Sequence, residues 1–477
     1  MKIIFLSIHH IEQILLNNIN SKLFTITIFL LTIHISFSII LSSAYTTTRI
    51  LFSLVLSFLL ISTSSNNYQS IIYIVKKYLI FYIFCIYILF QATNSEHINT
   101  SFEIAQQEYI SLTILIYITI ILYSINQKCI IKIKTFINTI ILSSLIIYIS
   151  IFTIYFINSN YTIIKSIESI FDNRRFFNHL QTLFIPIIFY SMLISKSNKL
   201  KFLLSLLIIL NFYFVFLTGA RGTLYSLSIS SLIIFLSSNK NIKIKLLYFY
   251  TLIVISFIIY QIGLSITNFN EHSSHFKEIA SSGRLHIYQT ILPNIFKIKY
   301  FFNSVGFSST DIFLVGFLHP HNLFLYIFLG SGTFGLMIFI YLIIKVFLKI
   351  YTGYISKSSS LYIKFITFTF MSVFIHSLVS GLYITPLTAI YLLYFFIVLF
   401  KYCCIKINKF DVVATIYDRD LSYSTIKSFL SGLMIILIAI WYIYLIKVNL
   451  DFVIEYSNTK YSKNIPGMFL FNENVYR

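Results

Sequence analysis

Apolar runs long enough to cross a bilayer recur along the chain, at 22–43, 49–64, 77–93, 108–125, 135–157, 181–195, 202–219, 222–237, 246–265, 322–348, 362–384, 386–404 and 428–446. A hydrocarbon core about 30 Å thick takes roughly 20 apolar residues per helix. Isoleucine, tyrosine and phenylalanine give these runs a local β character. An open strand in lipid would leave its backbone groups unsatisfied, however, so the pattern predicts helices. The expected fold is an all-α polytopic integral membrane protein with about 12–13 transmembrane helices. Residues 1–446 form a single membrane domain, followed by a short tail, 447–477. The first run is too long for a signal-peptide core and lacks a small-residue cleavage site, which makes it an uncleaved anchor.

Most connections are short turns, but 158–180 and 266–321 are long, and the second exceeds what a passive connector needs. Its centre, Ser281 to Phe302, has helical spacing with aromatic anchors and is expected to lie along the membrane surface. Nothing in 22–200 echoes 202–446, which argues against a secondary transporter built from paired halves.

Composition strengthens this reading. The chain of 477 residues is 58% hydrophobic, 18% aromatic and 10% charged, with a mean hydropathy of +0.86, whereas soluble domains carry about 25% charged residues. The net charge of +20 is mostly a topology signal. Numbered in order, the even connections carry Lys76 and Lys77, Lys128 to Lys134, Lys196 to Lys201, Lys240 to Lys245, Lys345 to Lys357, and Lys401 to Lys409. By the positive-inside rule these face the cytoplasm, as does the N-terminus with Lys2 and Lys22. Loop 266–321 and the tail then face the periplasm. Lysine placed this way serves membrane lipids rather than nucleic acid.

Arginine behaves differently. Arg49, Arg174, Arg175, Arg221, Arg284 and Arg477 all fall on the outer side of this topology, and Arg419 alone falls inside. A planar, permanently charged guanidinium is suited to bidentate phosphate binding, so the outer set points to an anionic ligand. Arg221 sits between two apolar runs, where an arginine at membrane depth costs roughly 2.5–3.5 kcal/mol and needs a cavity or a partner. The flanking Gly219 and Gly222 let backbone approach a ligand closely. Snorkelling to headgroups is the alternative reading.

The long loop holds His272, His275, His286, His319 and His321. HSSH and HPH spacings hint at zinc, but a zinc site usually adds another acid, histidine or cysteine with a defined second shell, and no metal or other cofactor is expected. Cys85, Cys129, Cys403 and Cys404 lie in runs or on the inner side, and provide neither a CxxC site nor an outer disulfide.

Four stretches, RRFFNHLQTLFIP at 174–186, TGARGTL at 218–224, SGRLHIYQ at 282–289 followed by VGF at 305–307, and HPHNLFLYIFLGSGTFGL at 319–336, give residues 171–345 a pattern that resembles the bacterial O-antigen ligase superfamily. That superfamily also includes O-antigen polymerases and O-linked protein oligosaccharyltransferases. The resemblance implies a C-type glycosyltransferase-like fold in the inner membrane and metal-independent, inverting transfer at the periplasmic face. The donor would be a glycan on undecaprenyl diphosphate. The acceptor would be the hydroxyl of lipid A-core in the leading reading, or of a protein or growing polysaccharide in the alternatives. A lipid-linked glycan flippase is a rival from another class.

By motif, the resemblance gives Arg221, Arg284 and His321 the catalytic roles. Two guanidinium groups would stabilise the departing diphosphate without a metal. An imidazole titrating near neutrality would take the acceptor proton. Arg174, Arg175, Asn178, His179 and Gln181 are expected to line the same outer vestibule, and Arg174, Arg175, Asn178, Gln181, His319 and Asn322 to bind substrate, with His319 the rival base. Tyr288 stands where the family often has tryptophan, and Gly330 where many members have an acid.

Overall fold

The computed structural model describes residues 133–158, 161–171, 173–267, 284–305, 320–356 and 361–382, with single helical positions between 79 and 91 and between 388 and 399. The expected spans at 22–43, 49–64, 108–125 and 428–446, and the tail, lie outside these residues. The described chain is helical: α1 (Ile133–Ile157), α2 (Ile163–Phe171), α3 (Arg174–Ile194), α4 (Asn198–Leu217), α5 (Arg221–Leu236), α6 (Lys240–Thr267), α7 (Arg284–Ile291), a 3₁₀ turn (Leu292–Asn294), α8 (Lys299–Phe302), α9 (Leu323–Ser356) and α10 (Leu361–Ser377). Five of these are long and apolar enough to cross a membrane, in α1, α3, α4, α6 and α9, while α5 and α10 are shorter apolar helices.

Short connections make α3, α4, α5 and α6 successive antiparallel hairpins, so one end of the bundle gathers Arg174, Arg175 and Arg221 and the other Lys196, Lys199, Lys240 and Lys243. These are called the arginine end and the lysine end below. Helix α10 packs between α3 and α5, and α4 joins α3 to α6. The shared core is aromatic and aliphatic: Phe189, Phe212, Phe249 and Phe368 are fully buried at the junction of α3, α4, α6 and α10. Their rings meet at 4.8–5.6 Å, within the range of favourable aromatic pairs.

At the lysine end, Lys364 is buried and its ammonium lies 3.3 Å from the centre of the Tyr354 ring. It also donates to the Ser237 carbonyl at 3.4 Å. The cation–π contact compensates a charge that the bundle would otherwise leave desolvated, and it ties α9 and α10 to the end of α5.

The structure departs from the apolar pattern in two places. Helix α3 begins at Arg174, within the stretch expected to be a loop, and α2 occupies much of the rest. The first turn of α3 is polar and therefore invisible to a hydropathy pattern, but Asn173 caps it by accepting a hydrogen bond from the Arg175 N–H at 2.8 Å. The run 322–348 was expected to be one span, yet α9 is broken at Gly332, with φ 68° and ψ −176°. A straight helix would place residues 324 and 339 about 22 Å apart. Their rings meet at 6.0 Å, and the rings of Phe324 and Phe347 both rest on Phe374. The limb Leu323–Ser331 therefore turns sharply against the limb that follows.

The break receives the end of the long loop. Val305 N–H donates to the Leu329 carbonyl at 3.0 Å, Thr333 donates to the Ile295 carbonyl, and Tyr87 and Gln91 hold the Phe302 carbonyl from another helix. A Cβ at Gly332 would lie 3.0 Å from the Tyr300 carbonyl oxygen and 3.1 Å from that of Asn303. Backbone in this region is essentially restricted to glycine, with a penalty on the order of 1–3 kcal/mol for other residues. Gly332→Ala is therefore expected to lower the thermal unfolding temperature of the detergent-solubilised protein and the folded yield. Gly263→Ala, whose nearest neighbour is 3.7 Å away, should leave both close to wild type.

Candidate functional site at the arginine end

The position of Arg221 is set by how α4 stops. Thr218 is the C-cap and Gly219, with φ 65°, occupies the left-handed position after it. The Ala220 N–H reaches back to the Val215 carbonyl at 2.9 Å and the Gly219 N–H to that of Phe216 at 3.1 Å, which is the Schellman pattern of hydrogen bonds. Glycine takes this conformation without the Cβ penalty. Helix α5 then starts at once, so TGAR fixes Arg221 at the first helical position with three connecting residues. The level is recessed. Phe216 stacks on Tyr260 at 5.9 Å, and α6 runs on from there to Thr267, about 10 Å further at 1.5 Å per residue.

Around Arg221 the helix starts converge. Thr223 on α5 donates to the Asn178 carbonyl at 3.1 Å and accepts from the Thr182 hydroxyl at 3.1 Å, joining α5 to α3. Thr218 donates to Asn178 Oδ1 at 2.9 Å. Asn322 opens α9: its Oδ1 accepts from the N–H groups of Phe324 and Leu325 at 2.9 and 3.2 Å, and its Nδ2 donates to the Leu378 carbonyl at the end of α10 at 2.9 Å. His321 precedes this cap with φ 51°, the one non-glycine residue with positive φ among those described. Such conformations are held against a cost of about 1–3 kcal/mol and cluster at functional sites.

Two imidazoles form the floor. His179 of α3 and His376 of α10 are 2% and 3% exposed. Their ring centres lie 5.2 Å apart, edge to face. His179 Nε2 is 2.9 Å from the Ser380 hydroxyl, while its Nδ1 is buried with no hydrogen-bond partner. His376 Nδ1 is 2.6 Å from the Thr182 hydroxyl, and its Nε2 would lie 3.0 Å from a Cβ at Gly222. Glycine next to Arg221 is thus what lets His376 approach the start of α5. Arg175, His321 and His376 all act electrostatically on His179.

Of the residues expected in the site, Arg174, Arg175, Asn178, His179, Arg221, His321 and Asn322 belong to the elements that meet here. Gln181 faces elsewhere: its amide donates to the Asn211 carbonyl at 2.9 Å and to Tyr148 at 3.3 Å, holding α1, α3 and α4 together. Arg284 starts α7, but its side chain lies outside the described residues, as does the whole of His319. The sequence pattern did not single out Thr182, Thr223, His376 or Ser380. A histidine inside an apolar run was the available signal for His376, since intramembrane ionisable groups are rare outside functional positions.

No family model matches the chain, and no curated protein and no solved structure matches it.

Proposed function

We propose that the chain is a metal-independent, inverting membrane glycosyltransferase that moves a glycan from undecaprenyl diphosphate to an acceptor hydroxyl, with O-antigen ligation to lipid A-core as the leading activity. The supporting observation is the convergence at the arginine end. The starts of α3 and α5, with Arg174, Arg175 and Arg221, meet the start of α9, preceded by His321, over a buried imidazole pair. Helix N-termini carry partial positive charge and bind anions. Arginine in the same first turns opposes that charge unless an anion occupies the space. In a complete C-type glycosyltransferase-like bundle of about 12–13 helices in the inner membrane, this end would face the periplasm.

In the proposed reaction the acceptor oxygen attacks the anomeric carbon and its proton passes to the His321 imidazole. The bond from that carbon to the diphosphate oxygen breaks, and the electron pair leaves with the lipid diphosphate. Arg221 and Arg284 stabilise the charge that develops there. The held conformation of His321 keeps the base in one place.

Deleting the gene and comparing lipopolysaccharide and glycoprotein profiles from the same cells tests the assignment. Loss of long O-antigen from lipid A-core with intact glycoproteins is the expected result. Loss of glycoprotein glycan alone would transfer the reading to a protein acceptor, and short O-antigen would transfer it to polymerisation. No change in either profile would overturn the proposal.

A further inference from the structure

The segment that packs into the α9 break has two unlike sides. Its inner side grips α9: Ile291, Ile295 and Val305 are buried, and the Phe301 and Phe302 rings lie 6.4 and 5.9 Å from that of Phe334. On the outer side Leu292, Phe296 and Ile298 are 53%, 86% and 93% exposed. Lys297 and Lys299, exposed as well, alternate with them. Large apolar side chains bared together in this way mark a surface that meets a partner or a membrane.

The level of this surface in the bundle identifies what it meets. The Tyr354 and Ser237 hydroxyls are 2.6 Å apart at the lysine end, where α6 begins. Counted from there at 1.5 Å per residue, Gly332 lies about 33 Å along α9 and Ile262 about 33 Å along α6. Exposed apolar side chains run along α6 from Ile244 to Ile262, a length of about 27 Å that matches a hydrocarbon core of about 30 Å. The break and the segment pinned to it therefore stand at the edge of the apolar band, roughly 9 Å beyond the level of Arg221. Amphipathic segments at such an edge bury their apolar side chains and keep lysine at the headgroups. Residues 284–305 hold Arg284, Lys297 and Lys299 and no acid, and the positive-inside pattern does not account for lysine at this end. We infer that residues 292–302 dip into the leaflet at the arginine end and select anionic lipid there. Phe296 and Ile298 enter the acyl region, and Lys297 and Lys299 meet the phosphates of acidic headgroups. The same segment holds the limb of α9 that follows His321 and the Asn322 cap, so the leaflet contact supports the arginine end from its rim. The inference needs the bundle to cross a membrane, but not the transfer chemistry.

A bimane on Ile298→Cys, in full-length protein whose four native cysteines are replaced by serine, is reconstituted in vesicles of equal parts phosphatidylcholine and phosphatidylglycerol. Iodide, in salt high enough to screen the vesicle charge, probes water. A nitroxide high on the acyl chain of either lipid, added at the same low mole fraction, probes the leaflet. The label is expected to resist iodide and to be quenched roughly two- to fivefold more efficiently by nitroxide on phosphatidylglycerol than on phosphatidylcholine. Adding Lys297→Gln and Lys299→Gln should keep the label in the leaflet and abolish that preference. Quenching by iodide without quenching by lipid would place the segment in water and overturn the inference. Quenching by neither would mean that protein covers it, either another part of the chain or a second copy, and overturns it as well. Equal quenching by the two lipids overturns the selection of anionic lipid. If position 298 fails to label, Phe296→Cys gives the same readings. None of these outcomes bears on the proposed glycan transfer, which the gene deletion tests separately.

Discussion

Arg221→Lys should lower glycan transfer by about 10²- to 10³-fold, the usual consequence of removing one group that stabilises developing negative charge, while the protein inserts and folds normally. Lysine and arginine have similar helix propensities. The turn that places position 221 depends on Gly219 and the Val215 and Phe216 carbonyls, which the substitution does not touch. What changes is the geometry of the cation. An ammonium offers a compact charge, while the guanidinium offers a planar fork that can engage two oxygens of a departing diphosphate together. Headgroup snorkelling would be served by either residue. Near-wild-type transfer by Arg221→Lys, measured on protein normalised for membrane insertion, would show that position 221 is an anchor.

His321→Asn should reduce turnover by about 10²- to 10⁴-fold, the range for loss of a general base, with donor binding retained. Asparagine is the suitable replacement because position 321 has φ 51°, a conformation that asparagine tolerates better than most residues. The hydrogen bonds of the neighbouring Asn322 cap should survive. Loss of donor binding together with turnover would mean that His321 holds the donor. Full activity would move the base elsewhere, with His319 the next residue to test. Donor binding is read by thermal shift with lipid-linked glycan and turnover by transfer to acceptor, so the two outcomes separate cleanly.

The hairpin of α4 and α5 was legible in the sequence to within a few residues, because two apolar runs flank a glycine and an arginine and nothing else competes for the turn. The start of α3 was not, since its first turn, RRFFNH, has the composition of a loop and owes its helical form to the Asn173 cap and to burial of Phe177, Asn178 and His179. The break in α9 was hidden for the opposite reason. Apolar residues continue through it without interruption, and the backbone at Gly332 is dictated by carbonyls from the distant 300–303 segment. Tertiary contact of that kind has no local signature beyond the glycine. In the site, the residues at helix starts were visible because charge stands out against apolar sequence. Thr182, Thr223 and Ser380 were not, because a hydroxyl in a membrane helix commonly bonds to its own backbone, and only the fold shows which ones reach across to another helix.

The most direct test of the account is the fate of the donor lipid on purified protein. Wild-type protein in nanodiscs, given a glycan on undecaprenyl diphosphate, lipid A-core acceptor and a metal chelator, is predicted to release one undecaprenyl diphosphate for each glycan transferred. Arg221→Lys and His321→Asn, run alongside, should release it at the reduced rates given above. Intact donor after incubation with wild type and acceptor, or release that is equally fast in both variants, would contradict it.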